Sequence, residues 1–304
     1  MMFRNVRATA FVALFCAVGG PVLAGCDEDS DSDAGASTPS TVASARTSDP
    51  DPISGTVKIT VDGRSVNVSC SGAAAGDRPV VVLLPGLGDG LDKMADFQKT
   101  LSEKGRVCSY DRLGEGASDQ PNGPQSFDST GKILTGVLDR VAGRHPVVLA
   151  GHSLGGLIAA RYAPAHRDRV AGLVLMDATP STIIADTKTL IPESATGPAA
   201  DLRAQSIAVY GGDNPEKLAF QDGKVDSAGD IPVEVIQHGQ PYLAALPEYG
   251  AGLEKAWSEG QRKWLELSSH SKATTAPNSG HYIYVDQPDV AVQAIQRVTA
   301  EAGK

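Results

Sequence analysis

The body of this 304-residue sequence has no basic cluster, and the formal net charge is −9. That excludes nucleic acid as an expected partner, because such a face needs lysine and arginine gathered on one surface. The acidity itself serves solubility and says little about substrate. The apolar run Ala8–Val18 is too short to span a bilayer. Cysteine is scarce, with four residues, and no His, Cys, Asp or Glu group has the spacing of a metal site. No metal and no cofactor are therefore expected. No Gly-Lys-Ser/Thr follows the glycine-rich stretch Pro85–Gly90, which argues against a phosphate-binding loop.

What is present is an alternation of strand-like and helix-like segments from Gly55 onward. This predicts an α/β fold with a mostly parallel central sheet and helices on both faces. Val57–Val61 and Ser65–Cys70 alternate at period two around Asp62-Gly63, a hairpin signal. Strands are predicted at Pro79–Leu84, Arg106–Asp111, Pro146–Ala150, Val170–Met176, Ile231–Gly239 and Ser271–Ala276. Helices are predicted at Met94–Glu103, Ile133–Ala142, Leu157–Tyr162, Leu253–Leu267 and from Pro288 on. Between residues 181 and 230 the pattern weakens, and a segment of that length inside one domain reads as a cap over the site, inserted before the penultimate strand.

Arg4 and Arg7 precede the short apolar run, and Leu23-Ala24-Gly25-Cys26 follows it. The arrangement resembles a bacterial lipoprotein signal. The resemblance implies a signal peptide over residues 1–25 and lipidation of Cys26. It also implies anchoring on the extracytoplasmic side of the cell membrane. Residues 26–52 are rich in Asp, Ser, Thr, Ala and Pro and carry almost no large apolar side chain. They read as a disordered tether to a domain spanning 53–304.

The chemistry centres on Gly151-His152-Ser153-Leu154-Gly155-Gly156, which lies between an apolar strand and a helix. A serine on such a turn is lifted above the sheet edge, and only small neighbours let strand and helix approach that closely. The helix start offers free N–H groups, led by that of Leu154, to a developing oxyanion. Pro85-Gly86-Leu87-Gly88-Asp89-Gly90 follows a strand buried on both faces. Leu87 is the candidate for a second donor. Taken alone, Gly-x-Ser-x-Gly also describes a plain strand–helix turn with a solvated serine.

Together with Tyr110-Asp111-Arg112-x-Gly114-x-Gly116-x-Ser118 and with Gly280-His281 before a terminal helix, these motifs resemble the α/β-hydrolase superfamily. The resemblance implies a Ser–acid–His triad with Ser153 as nucleophile and His281 as general base. It implies an oxyanion hole formed by the Leu87 and Leu154 N–H groups. His152 should point away from Ser153. His145 and His166 fall in turns at the opposite strand ends, and His238 and His270 lie outside the Gly-His loop. No carboxylate follows the strand ending at Gly239, where the commoner pattern places the acid. Glu234 lies inside that strand and Glu248 well beyond it. Asp177, at the end of the preceding strand, is the expected acid, and Asp213 the runner-up. Trp257 and Trp264 are assigned to core packing.

With Cys16 leaving in the signal and Cys26 lipidated, Cys70 and Cys108 are expected to form a disulfide. Two inert thiols are the alternative. The implied function is cleavage of a small-molecule carboxylic ester through an acyl-enzyme on Ser153. An acyltransferase or a peptidase of the same fold is the alternative within that class. A non-catalytic ligand-binding lipoprotein is the alternative outside it.

Overall fold

Asp62 and Gly63 both take positive φ, 49° and 70°, and turn strand β1 (Gly55–Val61) back onto β2 (Arg64–Ser71) as an antiparallel hairpin. This is the turn geometry that matches the twist of paired strands. The computed structural model describes residues 53–74 and 78–303. The expected signal peptide (1–25), lipidated Cys26 and tether (26–52) lie outside the described residues.

The hairpin opens an eight-stranded sheet. Its further strands are β3 (Val81–Leu84), β4 (Val107–Tyr110), β5 (Val147–His152), β6 (Val170–Met176), β7 (Val233–His238) and β8 (Ser271–Ala276). Their spatial order is β1-β2-β4-β3-β5-β6-β7-β8, and every pair from β4–β3 to β7–β8 is parallel. The carboxyl ends of those strands therefore share one edge, where open α/β sheets bind ligands.

The continuous apolar strands are buried on both faces, as their composition requires. Val82, Leu84, Leu149, Leu173 and Leu175 face one core, shared with α2 (Phe127–Ala142) and α3 (Leu154–Tyr162). Val81, Leu83, Val148, Val174 and Met176 face the other, shared with Phe97 and Leu101 of α1 (Ala95–Ser102) and with the C-terminal helix Pro288–Ala302. Cys70 and Cys108 stand directly opposite each other in the β2–β4 register and are disulfide-bonded. Such a link contributes ~2–4 kcal/mol, mainly by restricting the unfolded chain.

The insertion between β6 and β7 carries two helices, α4 (Ile183–Leu190) and α5 (Pro198–Tyr210). Asp222 caps α4 by accepting from the Ile184 and Ala185 N–H groups. A small separate cluster of Ile191, Ala199 and Leu246 joins the insertion to the segment preceding α6 (Gly250–Lys263). Helix α2 begins six residues before the predicted Ile133. Ser126 and Ser129 form a reciprocal capping box ahead of the apolar stripe, and this fixes the earlier start. Among the described residues no helix is long and apolar enough to cross a membrane.

Candidate active site

Ser153 stands between β5 and α3 with φ 50° and ψ −119°. This left-handed backbone is costly for a residue with a Cβ, and such strain persists only where packing over-determines it. The packing here is backbone against backbone. A Cβ at Gly151 would strike the Gly155 carbonyl, and one at Gly155 would strike the Leu84 and Pro85 carbonyl oxygens. The start of α3 thus lies against the loop after β3. Among the described residues, the neighbour within hydrogen-bonding range of Ser153 Oγ is Thr179 Oγ1, at 3.5 Å. The serine is held loosely, as catalytic hydroxyls of unliganded enzymes often are.

Asp177 ends β6, fully buried, with φ 45°. Its Oδ2 lies 2.7 Å from His281 Nδ1. His281 is itself buried in the loop after β8, and its carbonyl accepts from His152 Nε2 at 3.0 Å. His152 is thereby turned away from the serine and into the backbone of the base loop. Burial, and then the neighbouring His281 charge, hold the His152 pKa well below its ordinary value. A neutral ring donating from Nε2 suits that role.

The other oxygen of Asp177 is also occupied. Oδ1 accepts from His238 Nδ1 at 2.8 Å, from the His238 N–H at 3.3 Å and from Trp257 Nε1 at 2.9 Å. His238 Nε2 in turn meets Glu254 Oε1. Burial would raise the Asp177 pKa, but hydrogen bonds from His238 and His281 outweigh it and hold the carboxyl well below the usual range. Tyr242 Oη lies 3.2 Å from His281 Nδ1. Trp257, expected only to pack, is a donor to Asp177. Its neighbour on the same face, Gln261, bonds the Ala178 carbonyl.

The two candidate oxyanion donors lie on the adjoining segments. Among the described residues the Leu87 N–H has no hydrogen-bond acceptor, and the Leu154 N–H is a first-turn donor with no intrahelical partner. The Leu87 loop is clamped from beneath. Buried Arg112 donates from Nη1 to the Pro85 carbonyl (2.7 Å) and from Nη2 to the Gly86 carbonyl (2.8 Å). It also forms a fork onto Glu216 of the insertion, at 2.8 and 2.7 Å. Glu115 accepts from the Gly88 N–H at 2.9 Å. Burial, followed by the charge of Glu216, pushes the Glu115 pKa up to about 7.

Replacing Arg112 with glutamine would free two loop carbonyls and strand the Glu216 carboxylate. Breaking such a pair costs about 3–5 kcal/mol. Urea unfolding of Arg112→Gln is expected to register that loss, with slower acylation of the serine in the surviving native fraction. An unchanged urea midpoint would remove the clamp from this account.

The edge thus brings Ser153, Asp177, His281 and the Leu87 and Leu154 N–H groups together. Asp213 is exposed in the turn after α5, and Glu234 is bonded to Arg297 at 2.6 Å through both oxygens. His270 donates from Nδ1 to the Asp230 carbonyl. His238, Glu254, Trp257 and Arg112 acquire roles that sequence reading left unassigned. Among them only Arg112 sits in a motif; the others have no local signal. Among the described residues no group of three or more His, Cys, Asp or Glu side chains is arranged to hold a metal ion.

Residues 79–238 match the family model described as alpha/beta hydrolase fold. The uncharacterized protein YqjL of Bacillus subtilis (strain 168) is 24% identical over 243 residues, covering 80% of this chain and 91% of its own. Several other curated relatives are matched over half of their own length or less. The enol-lactonase from Burkholderia xenovorans LB400 superposes with TM-score 0.57 at 19% identity, over 81% of this chain and 100% of that one. A thermophilic esterase from Thermogutta terrifontis gives 0.58 at 18% identity, over 82% and 99%.

Proposed function

The chain belongs to the alpha/beta hydrolase fold family, and from that premise we propose that it is a serine hydrolase cleaving carboxylic esters through an acyl-enzyme on Ser153. The observation that carries this reading is the contact between buried Asp177 Oδ2 and His281 Nδ1, 2.7 Å apart, on the same sheet edge as the strained Ser153. An esterase and an enol-lactonase among the structural relatives are consistent with ester chemistry.

Ser153 Oγ turns from Thr179 toward His281 and attacks the ester carbonyl while His281 Nε2 takes its proton. The new imidazolium keeps its Nδ1 proton on Asp177. The tetrahedral oxyanion accepts from the Leu87 and Leu154 N–H groups, which need no reorganisation to receive it. Collapse breaks the C–O bond, and His281 returns its proton to the departing alkoxide. Water, deprotonated by His281, then attacks the acyl carbon and releases the acid and the free serine. The helices of the insertion would shape the acyl and alcohol pockets. We further propose that the enzyme acts at a membrane surface, lipid-anchored through Cys26, outside the cytoplasm. The Cys70–Cys108 disulfide is consistent with such a compartment.

The test is incubation of the full-length protein with a fluorophosphonate, followed by intact-mass and peptide analysis. One adduct is expected, on Ser153. Absence of any adduct on folded protein, or an adduct elsewhere, would overturn the reading.

A further inference from the structure

We infer that His238, held by Glu254, is a positioning residue for the triad, an imidazolium on the far oxygen of Asp177 that offsets the negative charge His281 faces. The inference rests on the serine-hydrolase reading above. It concerns a second histidine that the three-residue mechanism does not use.

The geometry gives each ring nitrogen of His238 a carboxylate to donate to. Its Nδ1 faces Asp177 Oδ1 at 2.8 Å, and its Nε2 faces Glu254 Oε1. Ionised carboxylates only accept, so a ring placed between two of them must donate from both nitrogens. The His238 side chain is buried, and the Glu254 side chain nearly so. Glu254 is itself fixed, since its Oε2 accepts from the Leu243 N–H at 3.1 Å. Burial would lower the His238 pKa, but the hydrogen bonds to Asp177 and Glu254 and their charges raise it to about 9. The positive ring therefore persists through neutral pH.

His238 meets Asp177 from β6, Glu254 from α6 and the edge of the Tyr242 ring at 4.8 Å. Beyond it a cavity of about 430 Å³ opens, lined also by Lys255 and Ser258, and gives protons a route to solvent. His281 meets Asp177, Tyr242 Oη at 3.2 Å, the His152 ring at 4.5 Å and the Tyr282 ring at 5.5 Å. Asp89 is close enough for its charge to interact with that of His281. Of these groups, His238 is the one cation bonded to the same carboxylate as His281.

In a triad whose acid has no second charge partner, the full carboxylate charge favours the protonated base. Here part of that charge is neutralised by His238. The attraction of Asp177 for positive charge on His281 is weakened accordingly. Trp257 and the His238 N–H keep the carboxylate oriented meanwhile.

The experiment measures the second-order rate of fluorophosphonate labelling of Ser153 from about pH 5 to about 9, for the full-length protein and for His238→Gln. The acid limb reports the base of the free enzyme. Removing one charge beside Asp177 is expected to move that limb upward by about one pH unit. Slower labelling with an unmoved limb would mean that His238 only packs, and would overturn the inference. In case the variant does not fold, nitrogen-15 spectra of the histidine-labelled parent give a second readout. One imidazole is expected to keep protons on both nitrogens up to about pH 9, above the ordinary histidine range. Neutral rings throughout at about pH 8 would overturn the inference while leaving the hydrolase reading intact. Failure of the parent to label at Ser153 would overturn both.

Discussion

Alanine at position 153 is expected to yield a folded protein that takes no fluorophosphonate and hydrolyses p-nitrophenyl acetate at least about ten-thousand-fold more slowly than the parent. In the proposed reaction this hydroxyl is the group that attacks the carbonyl held by the Leu87 and Leu154 N–H groups. Its removal costs the fold little. Ser153 Oγ has a single long contact, 3.5 Å to Thr179. Alanine has the same Cβ and so carries the same backbone strain at φ 50°. Thermal melting should therefore change by no more than an exposed substitution would, within about 0.5 kcal/mol. Ester turnover that survives in Ser153→Ala would show that the nucleophile lies elsewhere.

Asp177→Asn is expected to damage both activity and stability, because this carboxylate is shared. Two histidine rings and an indole donate to it. An asparagine must point its NH₂ at one of these donors. If it faces His281, the ring is driven to the tautomer with its proton on Nε2, directed at the serine it should deprotonate. If it faces His238 and Trp257, two buried donors lose their partner, and the imidazolium keeps only Glu254. The first arrangement lowers kcat/KM by on the order of ten-thousand-fold. The second breaks a buried charge contact, at a cost of about 3–5 kcal/mol.

Rates on p-nitrophenyl acetate and urea midpoints measure the two losses separately. A loss below about tenfold in rate would remove Asp177 from the acid's role. The pH dependence carries a sign. Burial would raise the Asp177 pKa, but its donors hold it below the usual range, so its stabilisation is in place at neutral pH. That stabilisation fades as the pH falls below about 4, and the asparagine variant should lose this component of acid sensitivity.

The strands were legible because burial on both faces demands uninterrupted apolar residues, as in Val81–Leu84 and Leu173–Met176. The insertion was less so. Helices α4 and α5 bury few of their side chains, among them Thr187, Ala199 and Ser206. With so little surface packed, no apolar stripe is required of them, and their sequence shows none. Helix α2 was placed late for a related reason: its first turn is set by the Ser126 and Ser129 hydroxyls, while the apolar stripe begins further on.

The site divides in the same way. Ser153 and the glycines around it announce themselves locally, because a strand, a strained turn and a helix in close contact tolerate few residue types. His281 and Asp177 were implied by the resemblance to the α/β-hydrolase superfamily, and the structure brings the two side chains together. What surrounds Asp177 had no such signal. His238 lies 61 residues from it, and Trp257 lies 80. Glu254 reaches His238 from α6, the helix that also carries Trp257. The sequence by itself determined the sheet and the elbow, because backbone sterics and strand burial act over a few neighbouring residues. Only the tertiary structure decided that the acid serves two histidines. That contact depends on how β7 and α6 pack against β6, and a polar side chain chosen for a partner many residues away looks like any other polar side chain.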